Sequence, residues 1–155
     1  MRLTVESLTP AAFAPFGAVV APPAGAGRDY FDAALETRRA GARPSLSIAR
    51  IEAVASLPLT SDRMERHPFS SQTFVPMGPQ RYLVVVAPKR GDGGPDLPHA
   101  RAFVPEPFVG ITYGADVWHH PMTILEGPAR FAVLMWNDGT AGDQEVVEVE
   151  PFTVG

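Results

Sequence analysis

Apolar positions along this chain come in short runs, each closed by proline, glycine or charged residues. The stretches RLTVE (2–6), GAVVA (17–21), SLSIARI (45–51), QTFVPM (72–77), RYLVVVAP (81–88), RAFVP (101–105), FVGITY (108–113), MTIL (122–125), RFAVLMW (130–136) and QEVVEVE (144–150) are rich in Val, Ile, Phe or Thr. Short β-favouring runs separated by frequent turns predict a mainly β domain, a barrel or sandwich. One or two short helices interrupt it. In LTPAAFAPFG (8–17), Thr9 caps a helix, Pro10 suits its first turn and Gly17 closes it. A second helical turn is expected within DYFDAALETRR (29–39), whereas APPAGAG and PKRGDGGPDLP read as loops.

Length and composition narrow the picture. The chain has 155 residues, the size of one domain, so residues 1–155 are read as a single unit. Hydrophobic residues make up 45% and charged residues 19%, a balance that suits a folded chain rather than a disordered one. No apolar run reaches the roughly 20 residues of a membrane span, and MRLTVESLTP lacks the apolar core of a secretory signal. A cytoplasmic location without membrane contact is therefore expected. A net charge of −4 argues against nucleic acid as a partner, and the absence of cysteine excludes disulfides, thiolate metal sites and cysteine nucleophiles. Lys89 is the single lysine; every other basic side chain is an arginine.

Two stretches carry candidate chemistry. In MERHPFSSQTFVP (64–76), Glu65 and His67 are two residues apart and share one face of a strand, with Gln72 further on, past a proline. A carboxylate, an imidazole and an amide converging inside a barrel suit a divalent cation or a small polar substrate; the bland alternative is an ordinary polar strand edge. In TYGADVWHHPMTIL (112–125), two of the four histidines are adjacent. On an extended strand Val117 and His119 face one way, Trp118 and His120 the other, unless Pro121 marks a bulge. One histidine is then functional and the other supports it or packs outside, with Trp118 placed to exclude water.

An E-x-H-x4-Q segment followed, after a β-rich interval, by a strand-end histidine is similar to the two-motif layout of cupins, with Glu65 at the first His position and Gln72 at the Glu position. The chain resembles the bacterial ureidoglycolate lyases more closely. FAPFGAVV, ERHPFSSQTFVPM, YLVVVAP, PDLPHARAF and GITYGADVWHHPM occur in that family's order and spacing, from about Phe13 to Trp136. The resemblance implies a cupin-like β-barrel, a homodimer, and cleavage of (S)-ureidoglycolate, a small acid of purine breakdown, to glyoxylate and urea. It also suggests a divalent metal, nickel or another ion with N/O ligands, for which the candidates are His67, Gln72, His119 and His120. The sequence departs from the family at Gly114 and Asp32, where many members carry histidine.

The substrate carbon bears a carboxylate, a hydroxyl and a urea nitrogen, so cleavage needs a base, a group for the departing nitrogen and a carboxylate clamp. The expected assignments are His119 as base with His67 or Glu65 as partner, and Gln72, Ser70, Ser71 and Tyr113 on the ureido group. Arg50 is the expected carboxylate clamp, with Trp118 lining the pocket. An amidohydrolase releasing ammonia and a non-catalytic binding protein for small acids are the alternatives.

Overall fold

The computed structural model describes residues 1–155 as strands in two sheets, with one short helix and two 3-10 turns. In chain order the elements are β1 (Arg2–Leu3), β2 (Val5–Glu6), α1 (Pro10–Phe13), β3 (Gly17–Val20), β4 (Arg43–Ile51), β5 (Leu59–Arg66) and β6 (Gln72–Pro76). Then follow β7 (Arg81–Ala87), β8 (Arg101–Phe103), β9 (Gly110–Tyr113), β10 (Trp118–His119), β11 (Thr123–Glu126), β12 (Ala129–Asn137) and β13 (Glu145–Val154). The larger sheet runs β1-β13-β5-β10-β7-β8-β2, with β11 also on β7; the smaller runs β3-β9-β6-β12-β4. This is the mainly β, cupin-like architecture expected. No helix is long and apolar enough to cross a membrane.

Alternation along the strands explains why there are two cores rather than one. Tyr82, Val84 and Val86 of β7 point between the sheets, where they meet Phe74, Ile111, Phe131 and Val133 from the smaller sheet. Leu83, Val85 and Ala87 point the other way, into a second core with Met64, Trp118, Phe152 and Val154. A strand covered on both faces needs apolar residues throughout, which is why RYLVVVA does not alternate.

The helix begins as its sequence dictates: the Thr9 hydroxyl accepts from the Ala12 amide at 3.1 Å, and Pro10 opens the first turn. Its end differs from expectation. The helix stops at Phe13, and Gly17 opens β3 instead of closing the helix. At φ +150° an added Cβ there would lie 1.8 Å from the Thr112 carbonyl oxygen, so the close approach of β3 to β9 is what requires glycine. The second helical turn is a single 3-10 turn at Asp32–Ala34.

The strand that matters most for the site, β5, begins with the polar run LTSDR and has no apolar signature. It is held between β13 and β10, and a register irregularity against β13 between Glu148 and Phe152 accompanies the full burial of Met64.

Candidate active site

Cross-strand register builds the site. His119 of β10 lies directly opposite Glu65 of β5, and on its other side opposite Val86 of β7. Directly opposed residues share a face, so the Glu65 carboxylate and the His119 ring both point between the sheets. His67, two positions beyond Glu65, returns to that face. From the other sheet, Gln72 and Tyr113 form a directly opposed pair, and the Tyr113 ring stacks on His119 with centroids 4.0 Å apart and planes 12° apart. The result is a cluster in which ligand-capable atoms of Glu65, His67 and His119 lie within 4.8 Å of one another.

Hydrogen bonds fix which ring atoms face the cluster. His119 Nδ1 is 2.9 Å from the Val117 carbonyl and His67 Nδ1 is 2.6 Å from the Asp143 carbonyl. A carbonyl only accepts, so both rings carry their proton on Nδ1 and present an Nε2 lone pair. Both Nε2 atoms are buried without a hydrogen-bond partner, as is the Gln72 Oε1. His119 Nε2 stands 3.6 Å from Glu65 Oε1, lone pair against carboxylate. Three electron-pair donors thus converge with no hydrogen between them, an arrangement that calls for a cation, either a proton or a metal ion.

The donor set fits a divalent ion. Two imidazoles and a carboxylate are borderline N/O ligands. Atoms within 4.8 Å of one another are near enough that side-chain rotation would bring all three onto one ion, whose bonds are about 2.1 Å. Gln72 Oε1, buried without a partner, is one further oxygen donor from the facing sheet. The charge states agree: burial lowers the His67 pKa below the ordinary imidazole value, an effect that the Asp143 carbonyl only partly offsets, and keeps the ring neutral. Burial alone would raise Glu65, but a proton shared with His119, and the Gln144 amide 3.2 Å from Glu65 Oε2, outweigh it and hold the carboxyl below its ordinary range.

A pocket of about 240 Å³ opens beside the cluster, lined by Arg39, Ser45, His67, Asp143 and Gln144 among others. A larger hollow of about 540 Å³ lies elsewhere, between Met1, Arg90, Leu97 and Val149; Glu148 and Glu150 border it, but no histidine does.

Other expected site residues stand elsewhere. His120 points to the opposite face, as alternation requires: its Nε2 is 2.8 Å from Ser61 Oγ, and Nδ1 lies near the Pro121 carbonyl and the Thr123 hydroxyl. His120, expected among the metal ligands, is therefore no part of the cluster, in which Glu65 is the third donor. Trp118 sits in the second core, donates to the Gly93 carbonyl at 2.9 Å and lies under the Arg66 guanidinium, so it does not line the pocket. Arg50 lies on the outer face of β4, between inward-packed Ala49 and Ile51, and pairs with Glu52 at 2.9 Å. Ser70 accepts from the Trp136 amide and donates to the Ser71 carbonyl, while Ser71 binds both backbone groups of Glu36. These hydroxyls are consumed in bracing backbone. Gly114 follows Tyr113 with room for a Cβ, 3.5 Å from Val117, and Asp32 opens the exposed 3-10 turn.

Three residues at the pocket have no signature in the sequence: Arg39, Asp143 and Gln144. They belong to loops whose approach to His67 is set only by the long-range fold.

A family model described as ureidoglycolate lyase matches residues 1–154. The chain is 39% identical over 142 residues to the ureidoglycolate lyase of Burkholderia cepacia, covering 85% of this chain and 78% of that one. It is 39% identical over 141 residues to the ureidoglycolate lyase of Brucella melitensis, covering 85% and 81%. These matches, together with a mainly β fold that brings Glu65, His67 and His119 of the two motifs into one buried cluster, establish that the chain belongs to the ureidoglycolate lyase family.

Proposed function

We propose that this chain is a ureidoglycolate lyase, converting (S)-ureidoglycolate to glyoxylate and urea at the Glu65–His67–His119 cluster. The observation that carries this reading is the convergence of two unpartnered Nε2 atoms and a carboxylate beside a small pocket. Names of the relatives supply the substrate.

The reaction moves one proton from the substrate hydroxyl to the leaving nitrogen. His119 Nε2, its lone pair turned into the cluster beside Glu65, accepts the hydroxyl proton of a substrate that enters from the pocket at His67, and Glu65 stabilises the imidazolium that results. As the hydroxyl oxygen becomes the aldehyde oxygen of glyoxylate, the C–N bond breaks with its electron pair going to nitrogen, and the imidazolium returns the proton there. Tyr113, stacked on His119, keeps the ring in plane and excludes water from that side. Gln72 Oε1 accepts from a ureido N–H, a role its unsatisfied oxygen leaves open. Alternatively, Glu65, His67 and His119 would together hold a divalent ion; His119 Nε2 would then be a ligand in place of the base, and the ion would supply Lewis-acid polarisation of the substrate oxygens.

A homodimer accords with the outer face of the smaller sheet, where Leu46, Ile48 and Val75 are exposed side by side across β4, β12 and β6. Light scattering checks it: a mass of two chains supports the dimer, and a monomer opposes it.

The test of activity is a product time course with (S)-ureidoglycolate, corrected for spontaneous decay. Glyoxylate and urea in equal amounts without early ammonia are expected. Ammonia rising in step with glyoxylate identifies an amidohydrolase, and no rate above the control leaves a binding protein.

A further inference from the structure

The segment between β12 and β13, residues 138–144, touches the cluster twice. The Asp143 carbonyl accepts from His67 Nδ1 at 2.6 Å, and the Gln144 amide donates to Glu65 Oε2 at 3.2 Å. Asp143 Oδ1 also accepts from the Phe69 amide at 2.8 Å, tying the loop to the chain just past His67. One loop therefore orients two of the three cluster residues. Most of it is exposed; Asn137 and Asp138 accept from the Gly139 and Thr140 amides and shape its tip, but these local bonds do not set its place against the cluster.

What fixes it is Arg39. Its Nη1 lies 2.7 Å from Asp138 Oδ1 and 3.3 Å from Thr140 Oγ1, while Nη2 lies 3.4 Å from the Trp136 carbonyl and 3.6 Å from Asp143 Oδ2. The guanidinium thus spans both ends of the loop. It is set over the Phe69 ring at 5.7 Å, with the side chain only 13% exposed. A planar fork can hold two carboxylates in different directions at once; an ammonium cannot do so with the same geometry.

We infer that Arg39 is a positioning residue of the active site, clasping the 138–144 loop so that Asp143 holds His67 in its Nδ1–H form and Gln144 holds Glu65. It acts through the loop and not on the substrate. Without the clasp the His67 N–H loses a fixed acceptor, the ring is free to flip or exchange its proton between nitrogens, and the Nε2 lone pair leaves the cluster for part of the time. The inference deepens the lyase reading and rests on it for its kinetic consequence, but not for its structural one.

The experiment compares wild type, Arg39→Ala, Arg39→Lys and the distant Arg81→Ala by nitrogen-resolved NMR of the histidine rings and by ureidoglycolate kinetics. For Arg39→Ala a mixture of His67 tautomers is expected, with kcat lowered roughly 10–100-fold, KM little changed, and only partial rescue in Arg39→Lys. Arg81, exposed and paired only with Glu126, should leave both readouts at wild-type values. Asp143→Asn, which keeps the carbonyl to His67 but weakens the clasp, gives a smaller change of the same kind and serves if Arg39→Ala does not fold. A folded Arg39→Ala with a single Nδ1–H tautomer and kcat within about 2-fold of wild type overturns the inference, as does an Asp143→Asn in which neither readout moves, because a contact that orients the His67 ring should cost roughly 10-fold or more when lost. Absence of turnover in wild type would refute the lyase reading instead, and the tautomer readout would still decide the role of Arg39.

Discussion

Two adjacent histidines occupy opposite faces of one strand: His120 borders a pocket of about 260 Å³, whereas His119 is buried in a cluster whose His67 borders one of about 240 Å³. Their chemistry differs because their hydrogen bonding differs. Around His120 both ring nitrogens have partners: the Ser61 hydroxyl on one side, the Pro121 carbonyl and Thr123 hydroxyl on the other. The pocket there is mostly apolar, with Ile51, Leu59 and Met122 in its wall. His119 keeps one nitrogen unpaired, facing Glu65 and near the equally unpaired His67 Nε2. Folding leaves a buried polar atom unsatisfied only at a cost, so the contrast separates a histidine held for stability from one held for reaction.

The comparison can be broken most severely at His67. His67→Ala removes one of the two unpaired nitrogens, and turnover should fall roughly 100-fold or more; a variant within a few-fold of wild type would place the chemistry elsewhere. Glu65→Gln keeps the shape but removes the charge facing His119, and a drop of about 10–100-fold in kcat is expected. On the other face, His120→Ala should act on stability: about 1–3 kcal/mol lost in urea denaturation, because Ser61 and Thr123 lose their partner, with kcat changed less than about 3-fold.

The smallest effect is in the pH dependence of stability. Burial lowers the pKa of both His67 and His120 below the ordinary 6.5. The unfolded chain therefore binds protons at these sites before the folded one does, and stability is highest above pH 6.5 and declines as pH falls from there toward the folded values. Glu65 works in the same direction further down: its lowered pKa gives stability above its ordinary 4.5 that is lost as pH drops through the folded value. Urea midpoints of wild type and His120→Gln between about pH 5 and 7 should converge as pH falls, since the variant lacks one of the protons taken up on unfolding. Parallel curves would mean that His120 titrates alike folded and unfolded.

Much of this was legible before any coordinates. Alternation from Val117 to His120 places the two imidazoles on opposite faces, and the Glu65 to His67 spacing puts both on one. The RYLVVVA run reads as a short strand, and Thr9-Pro10 reads as a helix start. Arg50 shows where such reasoning fails. Alternation in SLSIARI correctly groups Arg50 with Leu46 and Ile48, but those apolar residues are the exposed ones, 70% and 59% accessible, so the pattern points to the wrong side as the interior. The arginine at the pocket is Arg39, brought there by a pairing of the 36–39 segment with the chain near Ser70 that no local pattern encodes. Of strand β5 only the stretch around Glu65 reads as extended, for a related reason: LTSDR is polar, and its extended form is imposed by β13 and β10 on either side.

The central claim is that the reacting histidine is the one with the unpaired nitrogen, and its most direct test sets His119→Ala beside His120→Ala in one ureidoglycolate time course at equal folded concentration. The account predicts a rate loss of roughly 100-fold or more for His119→Ala and near wild-type glyoxylate and urea production for His120→Ala. Retained turnover in His119→Ala, or a matching loss in a folded His120→Ala, would contradict it.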